Sequence, residues 1–158
     1  MAADDLLKHF LFPGTLYVAQ TECQISTILG SCVAVCLWDK VYGGGGMNHF
    51  MLPLWNGEGL PTPKYGTIAM EKLLDRVLRF GCRREHLVAK VFGGSNINAT
   101  GNEAFLIGDR NTTLALQTLD DWNIPVVGTD VGGRLGRKVI MNTLTGVVLV
   151  GKGQRQHQ

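Results

Sequence analysis

A cysteine and a histidine lie on either side of a glycine-rich stretch, and their side chains suit each other chemically. Cys32 follows a Gly-Ser step in LGSCVAVCLWDKVYGGGGMNHF (29–50), and His49 comes shortly after the four glycines at 43–46. An imidazole close to a thiol favours the reactive thiolate, and its near-neutral pKa lets it later protonate a leaving group. These residue types are therefore those of a nucleophile and its base.

The pair forms only if the chain around it folds back on itself. Runs of β-forming residues predict strands over 32–38 and 46–52, joined by a glycine-rich turn. With the turn centred between residues 40 and 41, Cys32 and His49 stand directly opposite, with Cβ atoms about 5 Å apart. A centre one residue nearer the glycines makes them diagonal neighbours about 7–8 Å apart. Both registers keep the two side chains on one face of the sheet.

Groups around the pair complete a candidate site. The backbone N–H groups near Ser31 and Gly30 are candidates for an oxyanion hole, which stabilises a tetrahedral intermediate. Ser26 and Thr27 supply hydroxyl groups upstream of the cysteine. Glycines allow a substrate to approach the backbone closely. The residues that we expect at the substrate rim are Thr27, Gly46 and Asn48.

The cysteines also have ordinary structural interpretations. A cysteine on a strand is most often a small buried hydrophobe, and Cys36, on the same face as Cys32, fits that role. Cys23 and Cys82 have no evident base beside them. A zinc site built from three of the cysteines and His49 is disfavoured, since residues i and i+4 of a strand are about 13 Å apart. We therefore expect no metal ion.

The remaining elements predict a layered mixed β-sheet with helices packed on its outside, which is an α/β (α+β) fold. Helices are predicted over 65–80 and 110–122, the second with Asp109 as its N-cap. We expect a single domain, 1–158, with a disordered tail from about residue 152. The predicted strands are 14–20, 32–38, 46–52, 86–94 and 124–131, with a hairpin over 138–152 that turns near 143–146.

The composition limits the class of protein. Of 158 residues, 45% are hydrophobic and 18% are charged, a balance typical of folded globular chains. The net charge of +2 and the scattered Lys and Arg do not favour a nucleic-acid partner. No apolar window is as long as a membrane span of about 18 residues. Without a secretory signal, we expect a cytoplasmic protein with no membrane insertion, whose thiols stay reduced.

A set of ordered motifs resembles the CheD family of chemoreceptor glutamine deamidases. The Gly-Ser-Cys and Asn-His-Phe-Met-Leu-Pro segments are the most specific of them, and the set covers nearly the whole chain. The motifs are TILGSCVAVCLWD (27–39), GGMNHFMLP (45–53), KYGTIAM (64–70), AKVFGG (89–94), IGDRN (107–111) and DVGGRLGRKV (130–139).

The resemblance implies a hydrolase that converts glutamine side chains of methyl-accepting chemotaxis receptors to glutamate, and that hydrolyses methyl esters at some receptor sites. Carried over by position, Cys32 is the nucleophile, His49 is its base, and Ser26 is the hydroxyl six residues before the cysteine. Thr27, next to Ser26, is the alternative for this third role. The family suggests that no cofactor is needed. It also suggests a CheC-type phosphatase as a partner that binds over the active site, with segment 92–105 contributing to the contact.

Two other functions are compatible with the same residues. One is a regulatory module that docks on receptors or on a phosphatase without catalysis. The other is a different cysteine hydrolase, such as a peptidase. Receptor binding without modification would identify the docking module, whereas cleavage of the receptor backbone would identify the peptidase.

Overall fold

The computed structural model describes residues 6–96 and 106–153, which form two β-sheets and two α-helices. The helices are α1 (Gly66–Arg79) and α2 (Ile107–Asp121), and a short 3-10 helix covers Arg84–His86. The mixed α and β class predicted from the sequence is confirmed. The strands are β1 (Leu7–Phe10), β2 (Leu16–Ala19), β3 (Cys23–Leu29), β4 (Val33–Asp39), β5 (Gly44–Asn48), β6 (Leu87–Gly93), β7 (Val126–Val131), β8 (Arg137–Asn142) and β9 (Val148–Lys152).

The two sheets pack face to face, and the helices cover the outer face of one of them. The four-stranded sheet has the order β1-β3-β8-β9, and the five-stranded sheet has the order β2-β5-β4-β6-β7. One apolar core lies between the sheets, and a second lies between the five-stranded sheet and the two helices. This is the predicted layered arrangement with helices on the outside. Within the described ranges, no helix has the length and apolar character needed to cross a bilayer.

Strand β4 contributes to both cores, because its side chains alternate between its two faces. Val33 and Val35 face the helices, whereas Ala34 and Cys36 face the other sheet. Burial on both faces explains why the strand reads as an almost continuous apolar run. Cys32 precedes β4 and packs against the core between the sheets.

Three of the four glycines, 44–46, lie within strand β5 and only Gly43 lies in the turn, so the predicted strand over 46–52 is wrong at its start. The turn between β4 and β5 occupies 40–43 instead. A Cβ atom on Gly45 would overlap the carbonyl oxygen of Leu37, and one on Gly46 would overlap that of Tyr17. Glycine is required here because β5 passes close to the backbones of both neighbouring strands.

The helices and the chain ends differ from the predictions in a few positions. Helix α1 follows the predicted apolar face closely, but α2 begins three residues earlier than predicted. Asp109 therefore lies in its first turn, where the carboxylate accepts a hydrogen bond of 3.0 Å from Asn96 Nδ2, and it is not the N-cap. The C-terminal hairpin is confirmed. Its last strand includes Lys152, paired with Arg137, so the tail predicted to be disordered begins too early. Residues 154–158 lie outside the described residues.

Strands β1 and β3 are absent from the sequence prediction. They pair in parallel at one edge of the four-stranded sheet, with His9 beside Ile25 and Phe10 beside Ser26. Strand β3 also pairs with β8 in an antiparallel register. The two missed strands carry the groups that complete the site described next.

Candidate active site

The side chains of Thr27 and His49 form a buried hydrogen bond that joins the two sheets. Thr27 Oγ1 lies 2.7 Å from His49 Nδ1 and 2.7 Å from the carbonyl oxygen of Leu11. Thr27 is fully buried on β3, and His49, just after β5, is 1% exposed. The histidine ring is therefore held from one side by a hydroxyl of the opposite sheet.

These contacts determine which nitrogen of the His49 ring carries the proton. A hydroxyl has one hydrogen to donate, and the Leu11 carbonyl oxygen is only an acceptor. The arrangement that satisfies all three groups has Thr27 donating to Leu11 and accepting from Nδ1–H of His49. In a neutral imidazole, Nε2 is then unprotonated and free to act as a base. Nε2 is buried and has no hydrogen-bond partner among the described residues.

Cys32 faces the same space between the sheets and remains half-buried. Strands β4 and β5 pair Cys36 with Met47, and an isolated bridge in the same register pairs Val33 with Phe50. In that register Cys32 and His49 are diagonal neighbours on one face, the second of the two predicted alternatives. Such neighbours lie about 7–8 Å apart at the backbone, within reach of longer side chains.

Burial sets the resting charges of the pair. Burial lowers the pKa of His49 to about 4, so the imidazole is neutral near physiological pH. Burial also raises the pKa of the Cys32 thiol, which its own backbone N–H lowers in part. The resting site therefore holds a thiol and a neutral imidazole, and the thiolate forms when Nε2 accepts the thiol proton.

The carbonyl groups from Gly30 to Cys32 accept hydrogen bonds from other segments of the chain. Ser95 N–H donates to Gly30 O at 3.0 Å, and Gly94 N–H donates to Cys32 O at 2.8 Å. Asn111 Nδ2 donates to Ser31 O at 3.0 Å. The oxyanion hole expected from the backbone N–H groups around Gly30 and Ser31 stays a prediction.

The hydroxyl that contacts the imidazole is not the one that the sequence predicts. Ser26 neighbours Phe10 and Ile140 in the sheet register, and Thr27 is the fully buried residue beside it. Because side chains alternate along a strand, Ser26 points to the outer face of the four-stranded sheet, away from His49. Thr27, and not Ser26, therefore contacts the imidazole, and its full burial places it inside the protein and away from an open rim.

Two further residues expected at the substrate rim lie inside the protein. Gly46 is buried in β5 beneath the backbone of β2. Asn48 is fully buried, where its Oδ1 accepts a hydrogen bond from Val35 N–H at 2.8 Å. Its Nδ2 lies 3.5 Å from the sulfur of Met70 in α1. Asn48 therefore contributes to the packing of the helix side of β5 and not to a binding surface.

A groove runs along the exposed side of α2, on the helix side of the five-stranded sheet. It has a volume of about 500 Å³, and its lining combines the proline-rich loop with one stripe of the helix. The lining residues are Pro53, Leu54, Asp109, Arg110, Thr113, Leu114 and Gln117. The predicted contact segment 92–105 lies largely outside the described residues, because 97–105 are not described.

A thiol, an imidazole and a hydroxyl assembled in this way are the group set that cysteine-dependent hydrolases use. The comparisons with known proteins give the family. Residues 51–152 match the family described as "CheD chemotactic sensory transduction". The chain belongs to the CheD family.

Individual relatives extend the match over the cysteine and the histidine. The "Probable chemoreceptor glutamine deamidase CheD" of Trichlorobacter lovleyi is 66% identical over 151 residues, covering 96% of this chain and 94% of the relative. A protein of the same name from Sulfurimonas denitrificans is 42% identical over 144 residues, covering 90% of this chain and 92% of the relative. The "Probable chemoreceptor glutamine deamidase CheD 1" of Anaeromyxobacter dehalogenans is 47% identical over 141 residues, covering 89% and 82%.

The sequence leaves open whether Ser26 or Thr27 supplies the hydroxyl, and it does not single out Asn111. The alternation of apolar residues in CQISTIL (23–29) places Thr27 on the same face as Ile25 and Leu29. In a strand, that pattern identifies Thr27 as the hydroxyl that faces the other sheet. Asn111 belongs to the IGDRN motif, but nothing local indicates that its side chain reaches the loop before the cysteine.

Proposed function

We propose that this chain is a chemoreceptor glutamine deamidase that uses Cys32 as its nucleophile. The relatives named as chemoreceptor glutamine deamidases support the reaction and the substrate class. The observation that carries the mechanism is the Thr27–His49 hydrogen bond, which leaves His49 Nε2 unpaired on the same face as a half-exposed thiol.

The first half of the reaction forms a thioester. His49 Nε2 accepts the proton of the Cys32 thiol as the sulfur attacks the side-chain carboxamide carbon of a receptor glutamine. The backbone N–H of Cys32 stabilises the oxygen of the tetrahedral intermediate. The C–N bond then breaks, His49 returns the proton to the nitrogen, and ammonia leaves.

The second half consumes one water molecule. Neutral His49 accepts a proton from water as its oxygen attacks the thioester carbon, and the C–S bond breaks. The sulfur recovers its proton from the imidazolium, and the receptor side chain leaves as glutamate. A methyl ester would react in the same way with methanol as the leaving group. No step calls on a cofactor or a metal ion.

Thr27 is proposed to orient the imidazole through both steps. Its hydroxyl accepts from Nδ1–H and is itself held by the Leu11 carbonyl, so it stabilises the imidazolium that forms transiently. The proline-rich loop begins at Pro53, four residues after His49, and the groove that it forms with α2 is proposed to contact the receptor. The CheC-type phosphatase partner remains a prediction from the family resemblance.

The test is incubation of the purified protein with the cytoplasmic fragment of a methyl-accepting chemotaxis receptor, followed by peptide mass spectrometry and an ammonia assay. We expect specific glutamines to become glutamate with one ammonia released for each. A receptor that binds the protein but stays unmodified would support the docking module. A receptor cut in its backbone would support the peptidase.

A further inference from the structure

The side chain of Asn111 links the loop before the cysteine to the segment after the histidine. Its Nδ2 donates to Ser31 O at 3.0 Å and to Met51 O at 3.0 Å. Ser31 immediately precedes Cys32, and Met51 follows His49 by two residues. Asn111 is fully buried near the start of α2, so a rigid helix carries this link.

The side-chain amide of Asn111 makes hydrogen bonds only through its nitrogen, to Ser31 O and Met51 O, among the described residues. Both N–H groups of Nδ2 are directed to carbonyl oxygens, which fixes the amide in one of its two flips. Asn111 Oδ1 is buried and has no hydrogen-bond partner among the described residues. A buried acceptor without a partner destabilises the fold, so a residue kept for stability alone would be expected to pair all of its polar atoms.

The two contacts of Asn111 lie close to Cys32 and His49, which are diagonal neighbours and not a directly opposed pair. The β4–β5 ladder ends at the Cys36–Met47 pair and resumes in the same register only at the Val33–Phe50 bridge, which exchanges two backbone hydrogen bonds of 3.1 and 3.0 Å. Cys32 and His49 each neighbour a residue of that bridge, and neither is itself paired in the β4–β5 ladder. The Asn111 amide adds a side-chain link just beyond the bridge, at Ser31 and Met51.

We propose that Asn111 is a positioning residue that holds Cys32 and His49 at the separation needed for proton transfer. This inference rests on the proposed function of the site. Asn111 touches neither the substrate nor the reacting atoms, and it acts through the carbonyl groups of Ser31 and Met51. Its loss lets the two segments separate, and a misplacement of about 1 Å between reacting groups lowers a rate by about a hundredfold.

The matched control is Thr143, which follows β8 of the four-stranded sheet. Like Asn111, it is buried and makes two hydrogen bonds to backbone groups. Its Oγ1 accepts from Cys23 N–H at 2.9 Å and donates to Thr21 O at 3.0 Å. Thr143→Val removes two buried hydrogen bonds without approaching the site. The test variants are Asn111→Leu, which keeps the volume, and Asn111→Ser, which is small enough to admit water if the leucine does not fold.

The experiment measures receptor deamidation, the melting temperature, and the alkylation rate of Cys32 by iodoacetamide against pH. For the Asn111 variants we expect kcat to fall about ten- to a hundredfold with KM within about twofold of the wild-type value. Alkylation at neutral pH falls in parallel, and its pH midpoint moves upward, because the thiol loses its base. Thr143→Val lowers the melting temperature but leaves kcat and the alkylation profile unchanged.

Other outcomes separate the possible failures. If the Asn111 variants lose stability but keep the wild-type kcat and alkylation profile, Asn111 is structural and the inference is overturned. If KM rises while kcat is kept, Asn111 acts in binding and the inference is again overturned. If the wild-type protein does not deamidate the receptor, the proposed function fails, while the alkylation profile still tests whether Asn111 holds the pair together.

Discussion

Cys32 and Cys36 lie four residues apart on one face of the same strand region, yet their surroundings differ completely. Cys36 is buried, and burial raises the pKa of its thiol to about 12. Beside it is a cavity of about 150 Å³ between the sheets. Cys32 is half-buried and faces the same space as His49. The proposed reactivity of Cys32 therefore depends on its neighbours and its opening to solvent, and not on its place in the strand.

Two buried threonines, Thr143 and Thr27, differ in the same way, because their hydroxyl groups have different kinds of hydrogen-bond partner. Both hydrogen bonds of Thr143 Oγ1 go to backbone groups, those of Cys23 and Thr21, so this side chain stabilises the fold only. Thr27 has one bond to the backbone and one to the imidazole of His49. The second bond leaves Nε2 of that ring unpaired and able to accept a proton. One residue type therefore serves structure at one end and chemistry at the other.

The largest effect is expected from exchanging the sulfur for oxygen at each cysteine. Cys32→Ser should lower kcat for receptor deamidation by at least about 10⁴-fold, because the nucleophile is lost. Cys36→Ser should keep kcat within about threefold. It should lower the free energy of unfolding by about 1–3 kcal/mol, since it buries a hydroxyl among apolar side chains. Steady-state kinetics measure kcat and denaturant unfolding measures stability for the two variants. An equal loss of kcat in Cys32→Ser and Cys36→Ser would contradict the distinction between the two thiols.

The next effect concerns the base. His49→Gln should lower kcat by about 10²–10⁴-fold, because no group is left to accept the thiol proton. The residual activity should rise with pH as the thiol ionises without help. A pH profile of kcat for the variant measures this. A variant that keeps wild-type activity at neutral pH would show that Cys32 works without His49.

The two hydroxyls of β3 give a sharper comparison of smaller size. Thr27→Val keeps the shape of the side chain but removes the acceptor for Nδ1–H, and it should lower kcat about tenfold. Ser26→Ala, on the outer face, should leave kcat unchanged. Kinetics of the two variants decide between the position predicted from the sequence and the position found in the structure. A loss with Ser26→Ala alone would contradict the assignment of Thr27.

The last prediction concerns the free energy of unfolding as a function of pH, and not the rate of the reaction. The pKa of His49 is about 4 in the folded protein and about 6.5 in an unfolded chain, so the unfolded state binds the proton more readily. Stability should therefore fall as the pH drops from about 6.5 towards about 4, by at most about 3 kcal/mol. The difference between wild type and His49→Gln in denaturant unfolding isolates this contribution. Parallel pH curves for the two proteins would contradict the burial of a neutral imidazole.

The sequence was informative where the pattern is local. The spacing of Cys32 and His49 predicts that they share a face, and the observed register is one of the two considered. The spacing of apolar residues also predicts α1 to within one residue at each end, since the predicted helix is 65–80 and the observed one is Gly66–Arg79. Both depend on short-range periodicity, which a single sequence carries in full.

The parts that failed depend on contacts between distant segments. Gly45 and Gly46 resemble turn residues, but they are glycines because neighbouring strands approach too closely for a side chain. The family resemblance points to Ser26 by position and leaves Thr27 as the alternative, whereas the pairing of β3 with β1 and β8 fixes which of the two side chains points inward. The contact of Asn111 with Ser31 spans 80 positions in the chain, and no local pattern reports it.

The most direct measurement of the central claim is the identity of the acylated residue during turnover. The wild-type protein is mixed with a receptor peptide that contains a substrate glutamine, quenched in acid, digested and sequenced by mass spectrometry. The account predicts a thioester between the glutamine side chain and Cys32, lost on treatment with hydroxylamine. Deamidation with an adduct on Cys23, Cys36 or Cys82, or with no covalent adduct in a quench fast enough to capture one turnover, would contradict it.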